Sequence, residues 1–182
     1  MDGILISLRA VLLFTVLTGF AYPILVLMVG RVALTDQARG SLIEKDGKVL
    51  GSALIGQSFE QPRYFQSRPS ATVPKAYNGE SSSGSNFGPL HPDLLKAAAQ
   101  RKSLLGAGAP LDLLTSSASG LDPHISPEAA QFQVAKVAAA RKTSEREIGL
   151  LVERFTENRQ FGLLGEARVN VLRLNLALDG MK

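Results

Sequence analysis

The sequence predicts a mixed α/β protein in which one N-terminal transmembrane helix, residues 10–30, precedes a single α/β domain, residues 31–182, with a small sheet and several helices. Three observations carry this prediction. No charge interrupts Ala10–Gly30. Later segments combine helix start signals with apolar residues at helical spacing. The C-terminal run RVNVLRLNLALD alternates apolar and polar residues, as a half-buried strand does.

The apolar stretch AVLLFTVLTGFAYPILVLMVG would span roughly 32 Å as a helix, against a bilayer core of about 30 Å. Its Leu, Val, Ile and Phe residues contribute about −5 kcal/mol to insertion. A buried soluble helix shows a polar face, and this stretch has none. A cleaved signal peptide has a shorter apolar run followed by a small-x-small site, which RVALTDQA does not supply. A retained membrane anchor is therefore predicted, with Phe14, Gly19, Phe20, Pro23 and Leu27 among its residues. Gly19 and Pro23 would destabilise a soluble helix but are tolerated in membranes, where neighbours satisfy the freed backbone groups. Gly19 either admits a partner helix or is merely tolerated. Charge does not orient the helix. Arg31, Arg39, Lys45 and Lys48 outnumber Arg9, but the positive-inside rule weakens when a long domain follows.

Composition narrows the chemistry. The chain has no cysteine, which excludes disulfides and thiolate metal sites. Its net charge of +4 is dispersed without a run of one sign, so a nucleic-acid partner is not predicted.

After a polar lead-out over 31–47, KVLGSALIGQSF at 48–59 predicts one or two short strands with turns. Residues 60–92 carry Pro62, Pro69, Pro74, Pro89 and Pro92 together with Tyr64, Phe65, Tyr77 and Phe87, which predicts an ordered irregular loop packed by its aromatics. Asp93–Leu105 is predicted helical, acidic at its start and closed by Gly106, with His91 helping to cap it. A short apolar run then leads from 111 into a turn. Ser126, Pro127 and Glu128 start a helix to about Lys142, with Ala130, Val134, Val137 and Ala138 on one stripe. Ser144–Glu147 forms a capping box ahead of Ile148, Leu151, Val152 and Phe155, and the two helices predict a hairpin. In the terminal strand, Val169 and Val171 oppose the parity of Leu172–Leu178, which predicts a bulge near Val171.

No catalytic or metal-ligating set is predicted. GxxxxGK[ST], GxGxxG and GxSxG are absent, and neither His91 nor His124 has a ligand-type partner at i+3 or i+4. Asp122-Pro123-His124 admits two readings: an acid–base pair, which with a serine would serve an anchored hydrolase, or a turn whose histidine precedes a helix cap. The turn is the stronger reading. Arg68 before Pro69 reads as a surface arginine with a buried stem or as a carboxylate clamp.

Four segments, IGQSFEQPRYFQSRPSA (55–71), YNGESSSGSNFGP (77–89), SGLDPHISPEAAQFQVAKVAAAR (119–141) and GEARVNVLRLNLAL (165–178), together with the preceding apolar helix, resemble the C-subunit family of the bacterial high-affinity potassium-transporting P-type ATPase, the Kdp complex. The likeness covers nearly the whole chain. Ala118 stands where that family has Gly, which puts the local turn geometry in question. The resemblance implies a non-catalytic accessory subunit anchored in the inner membrane by one helix. It implies a cytoplasmic tail over 1–9 and an extracytoplasmic, periplasmic domain. Its partners would be a channel-like A subunit, a P-type ATPase B subunit, a small F subunit and membrane lipid. ATP and potassium would be handled by the complex, with no cofactor assigned to this chain. The family is also described as raising ATP affinity, which ranks below assembly because this chain has no phosphate-binding motif. A potassium lid would need local carbonyls or acids, such as those of 77–89 with Glu80. Candidate subunit contacts are Arg68, Tyr77, Asn86, Phe87, Asp122 and His124.

Overall fold

A computed structural model describes residues 2–181, which form one compact unit up to Leu50 and a second from Gly51. In the first unit, α1 (Asp2–Val16), a wide π-helical turn (Leu17–Ala21) and α2 (Tyr22–Ala33) follow without interruption. The stretch Gly3–Ala33 is long and apolar enough to cross a membrane. It holds Phe14, Gly19, Phe20, Pro23 and Leu27, all exposed. The wide turn has a local cause. Pro23 has no N–H to give the Gly19 carbonyl, and its ring would crowd that carbonyl in a regular helix. The Tyr22 N–H bonds instead to the Leu17 carbonyl, five residues back, and the Thr18 hydroxyl donates to the Phe14 carbonyl at 2.6 Å.

The polar lead-out is more structured than predicted. A one-turn helix, α3 (Thr35–Ala38), precedes β1 (Leu42–Lys45), which pairs with β2 (Lys48–Ser52). Their two-residue loop is Asp46-Gly47, at φ 52° and 73°, the left-handed pair that a tight hairpin turn demands.

The second unit packs helices on a small antiparallel sheet ordered β3 (His124–Ile125), β5 (Arg168–Asn170), β4 (Thr156–Glu157). Ile125 and Thr156 both oppose Val169. The helical hairpin forms as predicted, from α6 (Pro127–Arg141) and α7 (Glu145–Phe155). Ser126 Oγ accepts from the Ala129 N–H and Ser144 Oγ from the Glu147 N–H. Lys142 closes α6 at φ 56°; its N–H reaches the Ala139 carbonyl and that of Thr143 the Ala138 carbonyl. This is a Schellman closure made without glycine. His91 Nδ1 caps α4 (Pro92–Leu105), accepting from the Asp93 N–H. A short α5 (Leu111–Leu114) follows.

The C-terminal strand is the prediction that the structure overturns. Only Arg168–Asn170 is extended, and Val171–Gly180 is a helix, α8. The segment carries two periods at once. Leu172, Leu174, Leu176 and Leu178 alternate, but Val171, Leu174, Asn175 and Leu178 stand at i, i+3, i+4 and i+7, and these four are buried. Asn170 decides between them. Its Oδ1 accepts from the Arg173 N–H and caps the helix, while its Nδ2 donates to the Ala53 carbonyl. No bulge is needed near Val171, because the parity change is the start of a helix.

The core gathers Ile125, Ala130, Val134, Val137, Ile148, Val152, Val169, Leu174 and Leu178 around Phe65, which the irregular 53–91 segment contributes. Two buried carboxamides hold that segment. Asn175 Oδ1 accepts from the Phe65 N–H at 2.9 Å and its Nδ2 donates to the Phe65 carbonyl at 3.0 Å. Gln133 does the same for Gln66, at 2.7 and 3.1 Å. Arg141 adds a clamp, donating to the Arg63 and Leu178 carbonyls and to Asp179. Replacing Asn175 with Ala leaves both backbone groups of Phe65 buried and unpaired. The expected loss is about 2–4 kcal/mol in denaturant unfolding of the full chain in detergent, against under about 0.5 kcal/mol for Arg146→Ala on the surface of α7.

Candidate functional site

Asp122 starts the turn into β3, and its two oxygens are used separately. Oδ1 accepts from the His124 backbone N–H at 3.0 Å, the local closure that Asp-Pro predicts. Oδ2 accepts from Arg68 Nη1 at 3.1 Å. The His124 ring lies alongside, Nδ1 3.7 Å from Oδ1. The Tyr77 hydroxyl donates to the Arg68 carbonyl. The structure thus brings together Arg68, Tyr77, Asp122 and His124, four of the six predicted contact residues, from loops far apart in sequence. Arg68 acts as the carboxylate clamp.

Gly56 closes this cluster and was not singled out from sequence. Its N–H donates to the Leu121 carbonyl at 2.8 Å. A Cβ there would lie 2.6 Å from the Asp122 carbonyl oxygen and 2.8 Å from the Tyr77 ring, so no side chain fits. Nearby, Ser82 Oγ donates to the Ser119 carbonyl, and Ser70 Oγ to that of Gly120. In this turn the positive φ falls on Gly120, at 68°, and not on Ala118, so alanine at 118 is accommodated.

Asn86 and Phe87 stand apart from the cluster. Asn86 is exposed at φ 54°, and Phe87 stacks on His91 with ring centroids 4.5 Å apart. Of the 77–89 carbonyls, that of Asn78 accepts from the Ser81 N–H and that of Gly88 from the His91 N–H. Glu80 is exposed.

Burial opposes charge on Asp122, but the His124 ring and backbone N–H and the Arg68 guanidinium outweigh it and hold the carboxyl below the usual carboxylate range. Burial pushes the Tyr77 phenol up. Arg68 Nε is a buried donor with no acceptor among the described residues. A cleft of about 490 Å³ beside the cluster is lined by Asp112, Asp122, His124 and Ser126. Ser126, the serine that shares this cleft with His124, is occupied structurally. Its Oγ caps α6 and its N–H donates to Asp112 Oδ2 at 2.8 Å. The arrangement is a set of loop ties, with the Asp122 carboxylate engaged by Arg68 and by the backbone. Among the described residues no group of three or more His, Cys, Asp or Glu side chains is placed to hold a metal ion.

Residues 4–180 match the family described as "KdpC: K+-transporting ATPase, c chain". A protein of Methylococcus capsulatus named "Potassium-transporting ATPase KdpC subunit" is 56% identical, covering 97% of this chain and 96% of its own length. Proteins of the same name from Paraburkholderia phytofirmans and Paraburkholderia xenovorans are 54% and 53% identical, covering 98% and 94% of this chain and 95% of each relative.

Two outcomes test the cluster. Because folding lowers the Asp122 pKa, its contribution is present above the ordinary carboxylate value of about 4 and is lost as pH falls through the lower folded value. Asp122→Asn is expected to lower stability by about 1 kcal/mol at pH 7, discounted for partial exposure, and the gap from the unmodified chain should close towards pH 3; a gap constant with pH would refute the assignment. Gly56→Val should be more severe, at least about 2 kcal/mol in the same unfolding measurement, because the added atoms meet backbone.

Proposed function

The chain belongs to the KdpC family, the c chains of K+-transporting ATPases, and from that premise we propose that it is a non-catalytic subunit that assembles and stabilises the complex. As a member of this family it is an accessory subunit of a potassium uptake complex. In the proposed reading it is held in the inner membrane by the Gly3–Ala33 helix, with its folded domain on the periplasmic side. The channel-like A subunit, the P-type ATPase B subunit and the small F subunit are its partners, and they handle potassium and ATP.

The observation that carries the non-catalytic reading is the use made of Asp122. A general-acid or general-base dyad would orient the carboxylate on the imidazole. Here Asp122 is bonded to the Arg68 guanidinium and to a backbone amide, and the imidazole sits 3.7 Å away. The anchor is supported by the helix itself, in which no described residue is buried. A role in raising the ATP affinity of the B subunit ranks second, since the sequence has no phosphate-cradling loop.

Affinity purification of the tagged full chain from membranes tests this. The channel-like and ATPase subunits should co-purify, and His124→Ala should either leave potassium-stimulated ATP hydrolysis within about twofold or lower it together with assembly. A chain that purifies alone and loses ester or amide hydrolysis on His124→Ala would establish the hydrolase instead.

A further inference from the structure

An aspartate or asparagine followed by glycine can react with its own backbone. The glycine nitrogen attacks the side-chain carbonyl carbon to close a ring, and no Cβ on the glycine shields that nitrogen. Beyond the apolar helix the sequence holds three such pairs, Asp46-Gly47, Asn78-Gly79 and Asp179-Gly180. Ring closure requires the side-chain carbon to swing onto the next nitrogen. Its rate therefore follows the population in which the pair is released from its native bonds.

Two of the pairs are held. Asn78 is 8% exposed; its Nδ2 donates to the Val73 carbonyl at 2.9 Å and its Oδ1 accepts from the Glu80 N–H at 3.2 Å. Asp179 Oδ1 accepts from Arg141 at 2.8 Å and Oδ2 from the Tyr64 hydroxyl at 2.9 Å, and the pair ends α8, whose Leu174 and Leu178 are fully buried. Asp46-Gly47 is not held. Both residues are exposed, and among the described residues nothing is hydrogen-bonded or ion-paired to the Asp46 carboxyl or the Gly47 N–H. A Cβ on Gly47 would meet nothing within 4 Å, so the turn has room to rearrange. It closes a two-stranded sheet to which β1 contributes only Ile43 as a half-buried residue, and an isolated hairpin of that kind is marginally stable.

We infer that Asp46-Gly47 is a site of spontaneous backbone modification, at which Asp46 becomes isoaspartate. The Gly47 nitrogen attacks Cγ of the protonated Asp46 carboxyl. A C–N bond forms, the C–OH bond breaks, and the amide proton leaves with the hydroxyl as water, giving a succinimide. Water then adds to one of the two imide carbonyls. Cleavage of the N–Cγ bond restores aspartate. Cleavage of the bond from nitrogen to the original backbone carbon leaves the chain running through Cγ, with a free α-carboxylate. Mass is unchanged, and no oxidant or reductant takes part. The product carries one extra methylene in the backbone of a two-residue loop, whose left-handed pair can then no longer close β1 on β2. β2 runs from Lys48 in the first compact unit into the second at Gly51, so the lesion falls in the stretch that joins the apolar helix to the folded domain. The reaction is independent of what the chain assembles with.

Incubation of the purified full chain in detergent, followed by site-resolved mass spectrometry with electron-transfer fragmentation, tests the assignment. In the folded chain isoaspartate should build up at position 46 at least about tenfold faster than at position 179, with Asn78 unconverted. In urea the order should change, with Asn78 overtaking Asp46, because an unstructured Asn-Gly pair closes its ring faster than Asp-Gly does. An order of the three sites that is the same in urea as in the folded chain, or position 46 converting no faster than position 179 in the folded chain, would overturn it.

Discussion

The soluble unit depends on two side-chain amides that act as backbone. The stretch around Phe65 has no strand or helix of its own, yet Phe65 is fully buried in the core. A buried peptide group must find partners, and here Asn175 and Gln133 each supply one donor and one acceptor in the manner of a neighbouring strand. Without them the irregular segment would have to surrender either its hydrogen bonds or its phenylalanine. With them it is fixed across α6 and α8, and Arg68, two residues beyond Gln66, is delivered to Asp122. The ordering of the candidate site is thus a consequence of core packing two residues away.

Local signals of fixed spacing were legible in the sequence. The starts of α6 and α7, with Ser126 and Ser144 as caps, depend on neighbours within three residues, and so does the turn at Asp122-Pro123-His124. The apolar helix was legible by length and lack of charge alone. The hairpin at Asp46-Gly47 was available as a turn signal, and β2 falls within the strand segment predicted over 48–59, but the polar surroundings of Leu42–Lys45 hid β1. The end of the chain was misread because Leu at alternate positions satisfies a strand, while the same residues with Val171 and Asn175 satisfy a helix. What settled it was Asn170, whose Oδ1 caps the helix on the Arg173 N–H, a local signal that the alternating leucines masked, and whose Nδ2 bonds Ala53, more than a hundred residues earlier. Gln133, Asn175 and Gly56 were missed because their partners are remote in sequence. An asparagine on the apolar stripe of an amphipathic segment was the one available hint.

The cluster and the family membership answer different questions. Arg68, Tyr77, Asp122 and His124 tie together stretches of chain remote in sequence, and that accounts for their meeting at one place. Membership of the family supplies the larger setting, an ATP-driven potassium transporter.

The wide turn at Leu17–Ala21 bears on how the anchor meets its surroundings. Adding one residue to a helical turn rotates everything beyond it by about 100° relative to an uninterrupted helix of 3.6 residues per turn. Residues in the half containing Leu27 therefore stand out of register with those in the half containing Phe14, compared with a regular helix. A neighbour lying flat along the first half would lose contact over the second, so a single straight companion helix cannot follow both. A rotation of this size, set by the missing N–H of Pro23, makes the anchor two short helical surfaces in place of one long one.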